Sequence, residues 1–94
     1  MLVLFRPQAE QELLEAQAWY ESKAAGLGQE FAMMADAAIQ SALANPFGHP
    51  KVADNYRRVL FKKFPYLMIY LPSATELLVV SFFHQQRKPG SWRK

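Results

Sequence analysis

Two apolar runs late in the chain, Tyr66–Leu71 and Leu77–Phe83, constrain the fold more than any other feature. Neither holds a charged residue, and Pro72-Ser73-Ala74-Thr75 separates them as a turn. Each has the length of a strand and falls far below the roughly 18–20 residues of a membrane helix. Both lack the polar/apolar alternation of a half-exposed strand, so both are expected to be buried. The second is expected in the interior of a sheet.

The cover for such strands lies upstream, where the periodicity changes. Ala9, Leu13, Ala16, Tyr20 and Ala24 recur at helical spacing. They follow Pro7, which suits a first helical turn because its missing N–H costs nothing there. Glu10, Glu12 and Glu15 fall on other faces, and the first two suit the positive start of a helix. Gly26 and Gly28 end this helix. A second helix has the stripe Phe31, Met34, Ala35, Ala38, Ile39, Ala42 and Leu43, and Asn45-Pro46 closes it. Ala35, Ala38 and Ala42 are small enough to let the helices pack closely as a hairpin. Met33 and Met34 read as gap-fillers. Trp19 and Tyr20 read as packing residues.

Leu2–Phe5 is a short first strand, and residues 45–55 form a loop dense in Pro, Gly and Asn. His49 in that loop reads as structural. Tyr56–Phe64 is a strand rich in aromatic and basic residues. Phe64-Pro65-Tyr66 turns the chain, with two aromatics as anchors. The fold class is α+β, in the order β-α-α-β-β-β. The last three strands form an antiparallel meander, and the helical hairpin packs on one face of a small, mainly antiparallel sheet.

At 94 residues the chain is expected to form a single domain over 1–94. Its apolar fraction of 51% is that of a folded protein. It has no cysteine, which excludes disulfides, thiolate catalysis and cysteine-ligated zinc. Its two histidines are far apart and lack patterned carboxylates, so neither metal nor cofactor is expected. The apolar part of Met1–Pro7 is too short for a signal peptide, and a soluble cytoplasmic protein is expected, without a membrane.

Charge is unevenly distributed. Residues 1–50 carry Arg6 and Lys23 against six carboxylates, a net of −4. Residues 51–94 carry nine Lys/Arg against Asp54 and Glu76, a net of +7. Arg57, Arg58, Lys62 and Lys63 fall on one expected strand, and His84, Arg87 and Trp92 follow the last. Such a half points to an anion or an acidic protein as partner. Strand alternation puts Arg58 and Lys62 on one face and Arg57 and Lys63 on the other. Trp92 reads equally as an interface anchor or as a ring packed back on the sheet.

Several short motifs follow one another along the chain. They are Phe5-Arg6-Pro7 before Ala9 and Leu13, Trp19-Tyr20, Gly26-Leu27-Gly28 with Phe31, Pro46, His49-Pro50, Arg57-Arg58, Phe64-Pro65-Tyr66, Ile69-Tyr70, and His84-x-x-Arg87-x-Pro89-x-x-Trp92. In this order the chain resembles the RelE/ParE superfamily of bacterial type II toxins, and leans toward its ParE-like, plasmid-stabilisation branch. The resemblance implies an acidic cognate antitoxin and a toxin–antitoxin hetero-oligomer. It implies one of two targets. ParE-like toxins inhibit DNA gyrase without nuclease chemistry, and RelE-like toxins cut mRNA on the ribosome.

Fold cannot choose between these actions, so the residues must. Metal-free RNA cleavage needs a base, an acid and cations around the phosphate. Arg58, Lys62, His84 and Arg87 are the nuclease candidates. RelE-like nucleases often carry a tail tyrosine, and here no tyrosine follows Tyr70. Gyrase inhibition is therefore the preferred expectation, with Arg57, Arg58, Lys62, Lys63, His84, Arg87 and Trp92 as the target-binding surface. A non-toxic binding scaffold derived from the same fold is the alternative from another class.

Overall fold

The computed structural model describes residues 1–93. β1 (Leu2–Phe5) leads into α1 (Pro7–Lys23) and α2 (Leu27–Ala44). β2 (Lys51–Ala53), β3 (Tyr56–Leu60), β4 (Tyr66–Pro72) and β5 (Glu76–His84) follow. One five-stranded sheet results, of order β1-β5-β4-β3-β2. The meander β3–β4–β5 is antiparallel, as the sequence implies. β1 runs parallel to β5, with Leu2 opposite Glu76 and Phe5 opposite Val79. Parallel neighbours need a long crossover, and here the connection holds the helical hairpin followed by β2, β3 and β4.

Two expectations need correction. The breaker-rich loop holds a short strand, β2, paired to β3 in irregular register. The basic strand is also shorter than expected, since β3 stops at Leu60. Phe61 and Phe64 are both buried in the core under the helices. Three residues apart, they would face opposite sides of a continuous strand, so the chain must turn between them. Lys62 and Lys63 occupy that turn, Lys63 with φ 70°. The expected face-sharing of Arg58 with Lys62 therefore does not arise, and Lys63 lies in the turn and not on the strand beside Arg57.

Both faces of the apolar strands are covered, each by a different element. On the helix side Phe31 is the hub of an aromatic cluster. Its ring centroid lies 5.3 Å from Tyr20, 5.2 Å from Phe61, 5.1 Å from Phe64 and 4.9 Å from Tyr66. Ala9, Ala16, Ala35, Ala38 and Ala42 are buried around it, and Ala24 is exposed at the helix end. On the outer side Ile69, Val80 and Phe83 pack with Trp92 of the tail. Tyr70 is fully buried and its hydroxyl donates to the Pro46 carbonyl at 2.8 Å, which ties down the loop after α2. His49 is tied back too, with Nε2 3.0 Å from the Ser41 carbonyl. Among the described residues no helix is long and apolar enough to cross a membrane.

The hairpin turn is held by one side chain. Gly26, the residue before α2, has φ 87°, a conformation that favours glycine. Glu21 of α1 accepts the N–H groups of Gly26 and Gly28, each at 2.9 Å. It thereby places a carboxylate on the positive start of α2. Gly28 is buried, and a Cβ there would stand 2.6 Å from the Gln17 carbonyl oxygen, so the helices meet where no larger residue fits. The amides of Gly26, then Gly28, hold the Glu21 pKa below its ordinary 4.5.

Replacing Phe31 by alanine should cost about 3–5 kcal/mol by cavity formation, read from the urea midpoint; a loss below about 1 kcal/mol would contradict the hub role. A carboxylate with a depressed pKa contributes stability above its unfolded value and loses it as pH falls through the folded value. Glu21→Gln should therefore show a shallower loss of stability below about pH 4.5 than the parent. Parallel acid curves for the two proteins would refute the capping role.

Candidate functional site

β5 takes one residue more than β4 between the pairs Ile69–Ser81 and Tyr70–Val79. Such a bulge rotates the strand and re-aims its groups. Here the Ser81 hydroxyl and the Phe82 amide meet the same oxygen of Glu12 on α1, at 2.8 and 3.1 Å. The other Glu12 oxygen accepts from Arg87 Nη1 at 3.2 Å. The Glu12 side chain is only 10% exposed, and Ser81 is fully buried. A carboxylate so desolvated needs its donors, and this one has a hydroxyl, an amide and a guanidinium.

Beyond this point α1 and the sheet part to leave a cleft of about 330 Å³. Glu15, Trp19 and Tyr20 line its helix side; Tyr66, His84 and Arg87 line the other. Trp19 was expected to border the core, but it is 56% exposed and rests edge-on against Tyr20. The Lys23 ammonium lies 4.8 Å from the Trp19 ring centroid. His84 stands edge-on to Tyr66 at 5.0 Å, and its Nδ1 accepts the Gln86 amide at 3.0 Å. In the neutral ring the proton is therefore on Nε2. Burial raises the pKa of Tyr20, and burial followed by the charge of Tyr20 raises that of Tyr66. Both phenols are neutral near pH 7.

The sequence-derived cations do not share one site. Arg87 and His84 line this cleft together. Arg57 lies on the helix side of the sheet, where Nη1 donates to the His49 carbonyl at 2.7 Å beside the Phe47 ring. Arg58 pairs with Ile69 and, by alternation, lies on the outer side. Lys62 lines a small recess against α2 with Met34 and Ser41. Lys63 is paired with Glu30 at 2.9 Å. Trp92 is 5% exposed and packs edge-on against Tyr56 at 5.1 Å. Of its two readings, the packed ring is the one observed. A second cleft of about 330 Å³ lies beside it, lined by Leu67, Ile69, Phe83, Arg87 and Arg93. Arg93 is bonded to Asp54.

Sequence reasoning missed Glu12, Glu15, Trp19 and Tyr66 as site residues. Glu12 carried a usable signal. It lies three residues after buried Ala9 and four before buried Ala16, an inward position filled by a carboxylate.

A helical hairpin laid on a five-stranded sheet agrees with the fold that the resemblance to RelE/ParE-type toxins implies. A family model described as ParE toxin of type II toxin-antitoxin system, parDE, matches residues 3–89. This chain belongs to the ParE toxin family. Among solved structures it is similar to a chain of the chromosomal ParDE toxin–antitoxin system from P. aeruginosa. That match has 18% identity and a TM-score of 0.62, and covers 89% of this chain and 95% of the other. At that identity the likeness carries the fold. No curated protein matches the chain.

Glu12→Ala should lower stability by about 2–3 kcal/mol, because it strands the Ser81 hydroxyl and Phe82 amide. Glu12→Gln, which keeps an acceptor oxygen, should lose less. Equal losses in thermal or urea unfolding would show that the hydrogen bonds do not carry the effect.

Proposed function

We propose that this ParE-family toxin arrests growth by binding and inhibiting DNA gyrase, and that a cognate acidic antitoxin neutralises it. One observation supports binding over RNA cleavage. Arg58, Lys62, His84 and Arg87, the residues a nuclease would need around one phosphate, lie in three separate places. Arg58 is on the outer sheet face, Lys62 is in the recess beside α2 and His84 is at the α1 cleft, with Arg87 between that cleft and the outer one. The guanidinium of Arg87 is already engaged by Glu12. Cleavage needs cations and acid–base groups within hydrogen-bond reach of one reacting centre.

Protein binding asks less of the geometry. A basic, partly apolar surface needs only complementary charge and a few anchors. The outer face provides this at the second cleft, where Leu67, Ile69 and Phe83 lie between Arg87 and Arg93. An acidic antitoxin segment that folds on this face would bury its apolar residues in the cleft and pair its carboxylates with the rim. Occupying the face used against the target neutralises the toxin by competition.

Induced without its antitoxin, the chain should halt growth and leave plasmid DNA relaxed or cleaved while mRNA stays intact. Rapid mRNA cutting at ribosomes would reverse the assignment, and normal growth with neither effect would favour a non-toxic scaffold. Arg58→Ala combined with Arg87→Ala should weaken gyrase inhibition by more than about tenfold, with the protein still folded. A folded double variant of full potency would remove these residues from the working surface.

A further inference from the structure

The α1 cleft carries charge opposite to that of the basic outer face. α1 bears Glu10, Glu12, Glu15 and Glu21 against Lys23, a net of −3 in a protein of net +3. Two of those carboxylates, Glu12 and Glu15, line the cleft; among the described residues Arg87 is its one lining cation, already paired with Glu12, and Lys23 stands at the Trp19 ring. Glu15 accepts a single side-chain hydrogen bond among the described residues, from Gln11 at 3.1 Å. Its other oxygen is free to accept. An anion entering here would meet an unpaired carboxylate, and a cation would meet an acceptor.

The aromatic walls point the same way. Trp19, Tyr20 and Tyr66 present π faces or edges to the cleft, and both phenols are neutral. Such rings attract cations, indole most strongly. The molecule already shows both halves of the chemistry within itself. Lys23 sits over Trp19 at 4.8 Å, and the Arg87 guanidinium bonds Glu12 at 3.2 Å. Each kind of wall has taken one of the protein's own cations, and Glu15 together with the exposed part of Trp19 leaves room for one more.

We infer that the cleft between α1 and the end of β5 is a recognition pocket for a basic side chain, arginine above all, presented by a protein partner. A planar guanidinium can donate to the free Glu15 oxygen while stacking on Trp19, a combination lysine meets only in part. The cleft volume of about 330 Å³ takes a long side chain with room for water. The inference rests on the acidic–aromatic geometry alone and stands whether or not gyrase is the target. It also gives the protein two surfaces of opposite preference. An acidic segment seats on the outer face and a basic one at α1, and the two clefts share Arg87 as a common wall.

The test uses the full chain in a Trp92→Phe background, where Trp19 is the sole indole. Nα-acetyl-arginine amide should change Trp19 fluorescence saturably, with a dissociation constant on the order of 1–10 mM. Nα-acetyl-glutamine amide and guanosine monophosphate should not. Glu15→Gln, at an exposed helix position, should weaken the arginine response about tenfold or more. In parallel, NMR on the chain with Trp92 intact should place the arginine-induced shifts at Glu15, Trp19 and Tyr66, and Trp19→Ala should abolish those at Glu15 and Tyr66. An equal response to glutamine amide, tighter binding of the nucleotide, shifts mapping elsewhere, or no loss in Glu15→Gln would each overturn the assignment.

Discussion

The carboxylate of Glu12 stands where α1 crosses β5, and donors from two distant parts of the chain converge on it. The Ser81 hydroxyl and Phe82 amide come from the bulge of β5, and the guanidinium comes from the tail beyond it. Removing this carboxylate from water is costly, and only the full set of donors offsets it. The helix can therefore lie on the sheet in one register, the bulge has a reason to persist, and the tail is fixed at its root. The cleft that opens just past Glu12 inherits its shape from that junction.

Around this polar point the packing is of two kinds. Under the helices, small residues let α1 and α2 approach each other while Phe31 and its aromatic neighbours fill the space above the sheet. On the outer face the cover is thin. Trp92 and Tyr56 close over Ile69 and Phe83, leaving a cleft edged by arginines. A thick helical layer on one side and a single strap of tail on the other leave the outer face as the accessible one. The two faces also differ in charge. The carboxylates belong largely to the helices, and the surplus of cations belongs to the strands and tail.

Much of this was legible in the residue order. The helical stripes, the stops at Gly26 and Asn45-Pro46, and the two apolar strands all appear where local pattern places them, because those signals depend on neighbours close in sequence. β2 was not legible, because its three residues form a strand only through pairing with β3. The early end of β3 was missed because Phe61 and Phe64 turn toward the same core, a demand that propensity does not encode. Trp19 was misread because a position beside an apolar stripe is buried or exposed according to what the tertiary structure packs against it. Trp19 lines an open cleft, with Tyr20 edge-on to its ring.

By itself the sequence determined the class of fold, the helical hairpin, the interior strands and the charge split. Periodicity, turn residues and composition are local properties and survive without coordinates. The tertiary structure alone decided which charged groups meet. Glu12 and Arg87 are 75 residues apart in sequence and hydrogen-bonded in space. Arg57 and Arg58 are adjacent in sequence and are divided between two faces of the sheet. A charged side chain acts over a few ångströms, whereas the chain fixes only the distance to the next residue. The partners of the basic half were therefore set by the bulge of β5, the turn after β3 and the path of the tail.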